Sequence, residues 1–530
     1  MPERGNIMAS IFRKLLNKKQ SNAENRDNAD IEKLQLSGNI QDNLNRLKNI
    51  MSNSGDIKTR EFNLAGSNMK AAVIFIGTLA NEDMIHQHII RPLIMESAIL
   101  FHKNQVNFEE IKNSMISAGN LKEAAAFDDI VLGIMSGDTL LTIQGFAKGL
   151  LIESKEYQGR TVGEPSLEPS VKGPQEAFVE ILKINIGLIR RRFRDPNLCI
   201  DMHRIGRRAK ADLAIVFVKG IVDENLLSNI KRKLDTIDID GSATTIQLGQ
   251  MMTERPNSVL PMYQTTERPD KVVSAISEGR VAILLDGAPN TIIAPVTLPM
   301  LMQSPDDYFE GWFGATIIRL SRYVALFISA LFPALYIAIT SFHPGMLPSN
   351  LTLSIVRTRS GVPFPVIIEA LLMEFVLELL LEAGIRLPRV VGQTVSIVGG
   401  LVIGQSAVQA GIVSPIMVII ISVTALSSFS IPSYSLGLVT RIARVPFMIL
   451  ASAFGAFGVS MGLLISLIYL VSLKSFGVSY MKPISTDHPS DWKDSTIRAP
   501  LWSMKKRPQM LHPQDIIRLK RRNRSGPNEN

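Results

Sequence analysis

The chain has 530 residues, a formal net charge of +9 and a mean hydropathy of +0.17. That mean averages a polar, charged region ahead of Phe313 with a very apolar stretch from Phe313 to Leu473, which excludes a single soluble domain and reads as a soluble region joined to a membrane region. The lone cysteine, Cys199, excludes an intrachain disulfide and reads as a small core residue.

Residues 1–42 read as a basic, then polar, linker. MPERGNIMASIFRKLLNKKQ has no uninterrupted apolar run and so is not a cleavable signal. Ile11, Phe12, Leu15 and Leu16 form one face of a short basic surface helix, or else belong to a disordered tail. Arg13, Lys14, Lys18 and Lys19 here, and Lys505, Lys506, Arg507, Arg518, Lys520, Arg521, Arg522 and Arg524 at the other end, read as anchors on anionic lipid. Nucleic acid fits less well, because no aromatic stacking platform accompanies the basic runs.

A duplication follows. KAAVIFIGTLANEDMIHQHI from Lys70 matches DLAIVFVKGIVDENLLSNI from Asp212: a buried strand, a turn, then a helix opened by Asn81-Glu82 or Asp223-Glu224. SGDTLLTIQGFAKGLLIES matches EGRVAILLDGAPNTIIAPV, each a strand, a glycine turn and a second strand. Glu82 and Glu224, Gly137 and Gly279, and Gly145 and Gly287 are all 142 positions apart, and NLNRLKNIMSNSGDI aligns with NIGLIRRRFRDPNLC at the same spacing. Residues 43–155 and 185–311 are therefore expected to be two α/β modules of one fold, with the repeat itself ending near residue 297. The connector, 156–184, is extended by Pro165, Pro169, Gly173 and Pro174 and leads into a helix predicted over Gln175 to Phe193, with Pro174 in its first turn. Arg190, Arg191 and Arg192 end that helix. They complement its dipole, or they form an interface with a neighbouring acidic chain or lipid headgroups.

No catalytic pattern emerges: no phosphate-binding glycine loop, no H-E-x-x-H, no G-x-S-x-G, no cysteine pair at metal spacing. His86 and His88 would point to different faces of a helix. An enzyme, a cofactor and a bound metal are not expected, and two such modules in series suit assembly or signal relay.

The region 312–476 is expected to be a helical membrane domain with four to six membrane segments, and 477–530 a basic tail. Clear spans are Tyr323 to Thr340, Val390 to Ala410, Ile412 to Ile431 and Val445 to Leu473. Arg319 and Arg322 place the soluble region in the cytoplasm, and the basic tail places the C-terminus there too, so crossings should be even in number. The helix from Val366 to Ala383 carries Glu374, Glu378 and Glu382 on one stripe, with Glu369 off that register. Carboxylates in lipid are costly and normally face protein or water. The stripe either attracts cations to a path, or it lies in water or pairs with Arg386 and Arg389 on an interfacial helix. If this helix does not cross, Arg386, Arg389, Arg441 and Arg444 fall outside. If it crosses, one more crossing is needed, and the glycines Gly455, Gly458 and Gly462 mark a place for a turn. In the uncharged helix from Val390 to Ala410, Gln393, Ser396, Gly400, Gly404 and Ala407 recur at steps of 3, 4, 4 and 3. That small, polar face either packs against another helix or lines an axis, with Val395 and Val398 as an apolar constriction.

EPSLEPSVKGPQEAFVEILKINIGLIRRR, TSFHPGMLP, GVPFPVIIEALLMEFVLELLLEAGIRLPRVVGQTVSIVGGLVIGQSAVQAGIVSP, SFSIPSYSLG and LVSLKSFGVSYMKP resemble the A subunit of the GerA family of spore germinant receptors. The resemblance covers about residues 43–490. It implies a non-enzymatic subunit in the inner membrane of bacterial endospores, working with a transporter-like B subunit that is thought to hold the nutrient and a lipoprotein C subunit. It also implies a homo-oligomer around a path for monovalent cations. A non-conducting scaffold and a secondary transporter are the competing readings. A transporter would show inverted repeats in the membrane half, where none is visible.

Overall fold

The computed structural model describes residues 34–65, 67, 69–95, 107–117, 119–156, 163–165, 168–241, 243–484 and 489–519, and within 389–398 the backbone alone. The expected surface helix around Ile11 to Leu16 lies outside the described residues.

The first module starts with α1 (Ile40–Ile50), opened by Asn39, whose side chain accepts from the Gln41 amide. Strands β1 (Ile57–Asn63), β2 (Lys70–Ile76), β3 (Leu121–Ala124), β4 (Thr139–Ile143) and β5 (Gly149–Ile152) form one antiparallel sheet in the order β1-β2-β4-β5-β3. One face carries Ala72, Ile74 and Leu140 against α1 and α2 (Phe127–Met135); the other carries Val73, Phe75 and Leu141 against a helix over 82–95. A sheet covered on both faces has no polar side, which is why β2 reads as a continuous apolar run.

The second module repeats this plan. It comprises α3 (Leu182–Arg192), β6 (Leu198–Ile205), β7 (Ala211–Val218), α4 (Glu224–Asp235), α5 (Thr245–Met252), β8 (Gln264–Thr266), α6 (Pro269–Ser277), β9 (Val281–Leu285) and β10 (Thr291–Ala294). Its sheet order, β6-β7-β9-β10-β8, is that of the first module strand for strand. The equivalence reaches single hydrogen bonds. Asn43 Nδ2 donates to Ser37 O at 2.7 Å, and Asn185 Nδ2 donates to Val179 O at 2.5 Å. Gln144 Oε1 accepts from the Ile40 amide, and Asp286 Oδ1 from the Leu182 amide. Gly145 and Gly287 both take positive φ (89° and 80°) and donate to Gly38 O and Glu180 O.

Two boundaries need correction. Order begins by residue 34, not 43, because Leu36 and Ile40 are buried in the first core. The connector helix begins at Leu182, not Gln175, and Pro174 lies outside it. Residues 174–181 run extended, with the Phe178 amide on Glu267 O, the counterpart of Leu36 on Ala125 O. That pairing uses backbone groups that a longer helix would have needed.

The helical region follows: α7 (Trp312–Phe342), α8 (Ser349–Arg359), α9 (Val366–Arg386), α10 (Arg389–Gln409), α11 (Pro415–Phe429) and α12 (Tyr434–Ser472). The last contains non-helical backbone at Gly455 (φ 60°, ψ −140°). In one straight helix Leu450 and Gly458 would stand about 12 Å apart. Yet a Cβ on Gly458 would meet the Leu450 carbonyl, and one on Gly462 would lie 2.8 Å from the Phe447 ring. The chain therefore doubles back at Gly455 into a helical hairpin. Its two ends, Leu436 and Leu473, join the second module's core, and its tip lies against Phe342 at the far end of α7. Six segments alternate in direction: α7 away from the modules, α9 back, α10 away, α11 back, then the two arms of the hairpin.

Residues 474–484 and 489–519 are not a free tail. A two-stranded ribbon (Lys474–Ser475 with Val478–Ser479) leads to Tyr480, which is buried in the second core and accepts through its carbonyl from the Leu298 amide. Arg507 Nε donates to Ser277 O, and the Gln514 and Asp515 amides donate to Ile221 O and Gly220 O.

Candidate functional site

The acidic stripe of α9 is not bare. Glu374 is buried and accepts from Arg444 Nη1 at 2.6 Å. Arg444, fully buried on α12, also donates to Ser329 O at 2.7 Å, to Ser329 Oγ at 3.2 Å and to Thr424 O at 3.4 Å, and so ties α7, α9, α11 and α12 together. One turn along, Glu378 meets Arg441 at 3.3 Å; Glu382 pairs with Arg386 at 2.6 Å in the open. Glu369 sits elsewhere: fully buried, it accepts from the Ser414 amide (2.6 Å) and hydroxyl (2.5 Å) where α11 begins, a placement that a helix N-terminus favours. Glu369, Met373 and Glu374 are buried inside the bundle, whereas Glu382 lies in the open, paired with Arg386 as the interfacial alternative expects. The partners expected for the stripe were Arg386 and Arg389. Among the described residues Arg386 pairs with Glu382, and the Arg389 side chain lies outside them. The missed partners, Arg441 and Arg444, carried a signal: two arginines at i, i+3 facing two glutamates at i, i+4.

α10 packs chiefly on α9. The side chains of Gln393, Val395, Ser396 and Val398 lie outside the described residues. A Cβ on Gly400 would meet nothing within 4 Å, and one on Gly404 would touch only Val418, at 3.9 Å. Gln405, Ser406 and Gln409 are exposed. Of the described positions on the small face, Gly400 makes no close contact and Gly404 a loose one, while Ala407 packs against the bundle core.

The arginine cluster of α3 is divided. Arg190 is fully buried and donates to Asp56 Oδ2 at 2.9 Å, Asp56 Oδ1 at 2.8 Å and Ser54 Oγ at 2.8 Å. Ser54 in turn accepts from the Ile200 amide, so Arg190 serves the joint between the two modules of one chain. Arg191 and Arg192 hold Glu176, whose carboxyl burial would push up and the two guanidinium groups pull below its ordinary range.

A second cluster, not foreseen, joins the modules to the helical region. Arg319 of α7 donates to Asp307 (3.1 Å), Asp494 Oδ1 (3.3 Å) and the carbonyls of Asp494 and Ser495. Arg322 adds 2.7 Å to Asp307, and Arg498 lies 4.6 Å over the Tyr308 ring. Burial pushes the Asp494 carboxyl up, against the pull of Arg319. Among the described residues no group of His, Cys, Asp and Glu could hold a metal ion.

The family described as Bacillus/Clostridium GerA spore germination protein matches residues 45–510. "Spore germination protein B1" of Bacillus subtilis is 38% identical over 485 residues, which is 92% of this chain and 100% of that protein. "Uncharacterized membrane protein YfkQ" of the same organism is 36% identical over 473 residues, 89% of this chain and 91% of that one. A crystal structure of the N-terminal domain of the A subunit of the Bacillus megaterium spore germinant receptor GerK3 is 29% identical and covers 49% of this chain and 96% of its own, with a TM-score of 0.40.

Proposed function

We propose, from the premise that this chain belongs to the GerA family of spore germination proteins, that it is the multipass A-type subunit of a nutrient germinant receptor and that copies of it close around a cation path. The six alternating segments become six crossings, with modules and C-terminus together in the cytoplasm of the spore, under its inner membrane. Arg319, Arg322, Arg386 and Arg389 then fall on the cytoplasmic side, in keeping with the positive-inside bias. The 39 residues of α12, about 58 Å if straight, supply two of these crossings.

The observation that carries the conducting reading is the surface of α10. Beside the exposed Leu401, Val402 and Ile403, α10 also exposes Gly400, Gln405, Ser406 and Gln409, and those polar side chains at membrane depth suit water or a second copy better than lipid. Monovalent cations would pass along it, with Val395 and Val398 closing the path by dewetting. Glu378 and Glu382, the more exposed part of the stripe, would hold negative potential beside the cytoplasmic mouth. The nutrient would be held largely by the transporter-like B subunit, with a lipoprotein C subunit completing the receptor.

Potassium flux from liposomes that hold the purified full chain tests this. Little flux from the wild-type chain and fast flux from Val398→Ser is the expected result. Tight vesicles with both proteins would reduce the chain to a scaffold for its partners.

A further inference from the structure

The protein has three tryptophans, Trp312, Trp492 and Trp502, and all three lie at the junction of the second module with α7. They are 47%, 41% and 69% exposed, beside Phe313 (64%), Ile497 (50%) and Leu501 (58%). This patch is fixed to the start of α7: Thr316 Oγ1 accepts from the Arg498 amide at 3.3 Å, and Arg319 holds the Asp494 and Ser495 carbonyls. The depth of the patch follows from α7. Its 31 residues span about 46 Å, close to the ~40–45 Å of a bilayer with its headgroups. A helix crossing from Phe342 to Trp312 brings Trp312 to the cytoplasmic headgroup layer, and the segment 489–506 with it. Tryptophan favours that layer because its ring is apolar and its N–H polar.

The same segment carries charge of the right sign. Lys493, Lys505 and Lys506 are exposed and, with the half-buried Arg518, line a cavity of about 400 Å³. Its three carboxylates have partners within the chain: Asp491 accepts from the Gln509 and Met510 amides, Asp494 from Arg319, and Glu278 lies 3.7 Å from Arg280. Lys493 donates to the Ser503 carbonyl at 3.3 Å, and Lys505 and Lys506 are exposed beside it, open to an outside anion.

We infer that residues 489–506 form an interfacial foot that binds anionic phospholipid, with Leu501 and Trp502 seated at the acyl boundary and the lysines on the headgroup phosphate. The inference rests on the reading of α7 as a membrane crossing. It adds a lipid-dependent clamp on the joint through which the modules hold the helical region.

The test uses the full chain with Trp312→Phe and Trp492→Phe, so that Trp502 is the only fluorophore of its kind. Reconstituted into vesicles of phosphatidylcholine with phosphatidylglycerol, its fluorescence should be quenched strongly by lipid brominated near the headgroup and weakly by lipid brominated near the chain ends. Energy transfer from Trp502 to dansyl-labelled lipid should favour phosphatidylglycerol over phosphatidylcholine. Each Lys→Gln change at Lys493, Lys505 or Lys506 should cut that preference about fivefold, and Lys→Arg should keep it. Absence of quenching in protein that still floats with the vesicles overturns the foot and leaves the crossing intact, and a protein surface would then cover Trp502. Equal transfer from both lipids overturns the anionic headgroup. Failure to float after alkaline washing overturns the crossing itself.

Discussion

A fully buried guanidinium must find its partners inside the protein, and Arg190 finds Asp56 and Ser54 in the other module. Removing one member of such a pair strands the other and costs about 3–5 kcal/mol. Arg190→Met should therefore lower the thermal midpoint of the purified chain clearly, whereas Arg191→Ala, which faces a half-exposed Glu176, should cost about 1 kcal/mol or less. Equal shifts in a melting experiment would refute the division of labour. The same logic separates two glutamates that look alike in sequence. Glu374→Gln disturbs the buried Arg444 network and should reduce subunit abundance in spores. Glu378 is 44% exposed and shares only one 3.3 Å contact with Arg441. Glu378→Gln should leave abundance near wild type and slow cation release during germination. Unchanged release at normal abundance would remove the stripe from the cation path.

At the scale of elements, apolar composition located the helices but not the reversal inside the longest one. Hydropathy is blind to a turn made by one residue: on both sides of Gly455 the chain is equally apolar. The signal lay in the glycines. At φ 60° and ψ −140° an L side chain is strained, and Gly458 and Gly462 let the two arms approach to backbone contact. Gly455→Val should thus prevent the hairpin, and a C-terminal tag should lose its cytoplasmic location or the protein should disappear. A protease-accessibility assay distinguishes these from the wild type. A variant of normal abundance with its tag still inside would show that the turn does not need glycine. The start of the connector helix was missed for a related reason. Residues 175–181 have helical composition, but Phe178 is drawn into an edge pairing with Glu267 that only the folded module supplies.

For the molecule as a whole, the duplication was legible because each module carries its own local hydrogen-bonding residues, such as Asn43 and Asn185, at a constant separation. The folded C-terminal segment was not legible, because isolated residues such as Tyr480, Met510 and Arg507 hold it without any periodic pattern. Assembly is the remaining question at this scale, and Gly400 gives access to it. In one chain a Cβ at Gly400 would meet nothing within 4 Å, so Gly400→Leu should not disturb the fold of a single subunit. If α10 faces a second copy around an axis, the added side chain meets its neighbour instead. The mass of the particle in mild detergent should then fall toward that of one chain, or the fast flux of Val398→Ser should be blocked at unchanged mass when Gly400→Leu is added to it. Wild-type mass together with undiminished flux in that double variant would place α10 against lipid and leave the conducting reading without its carrier.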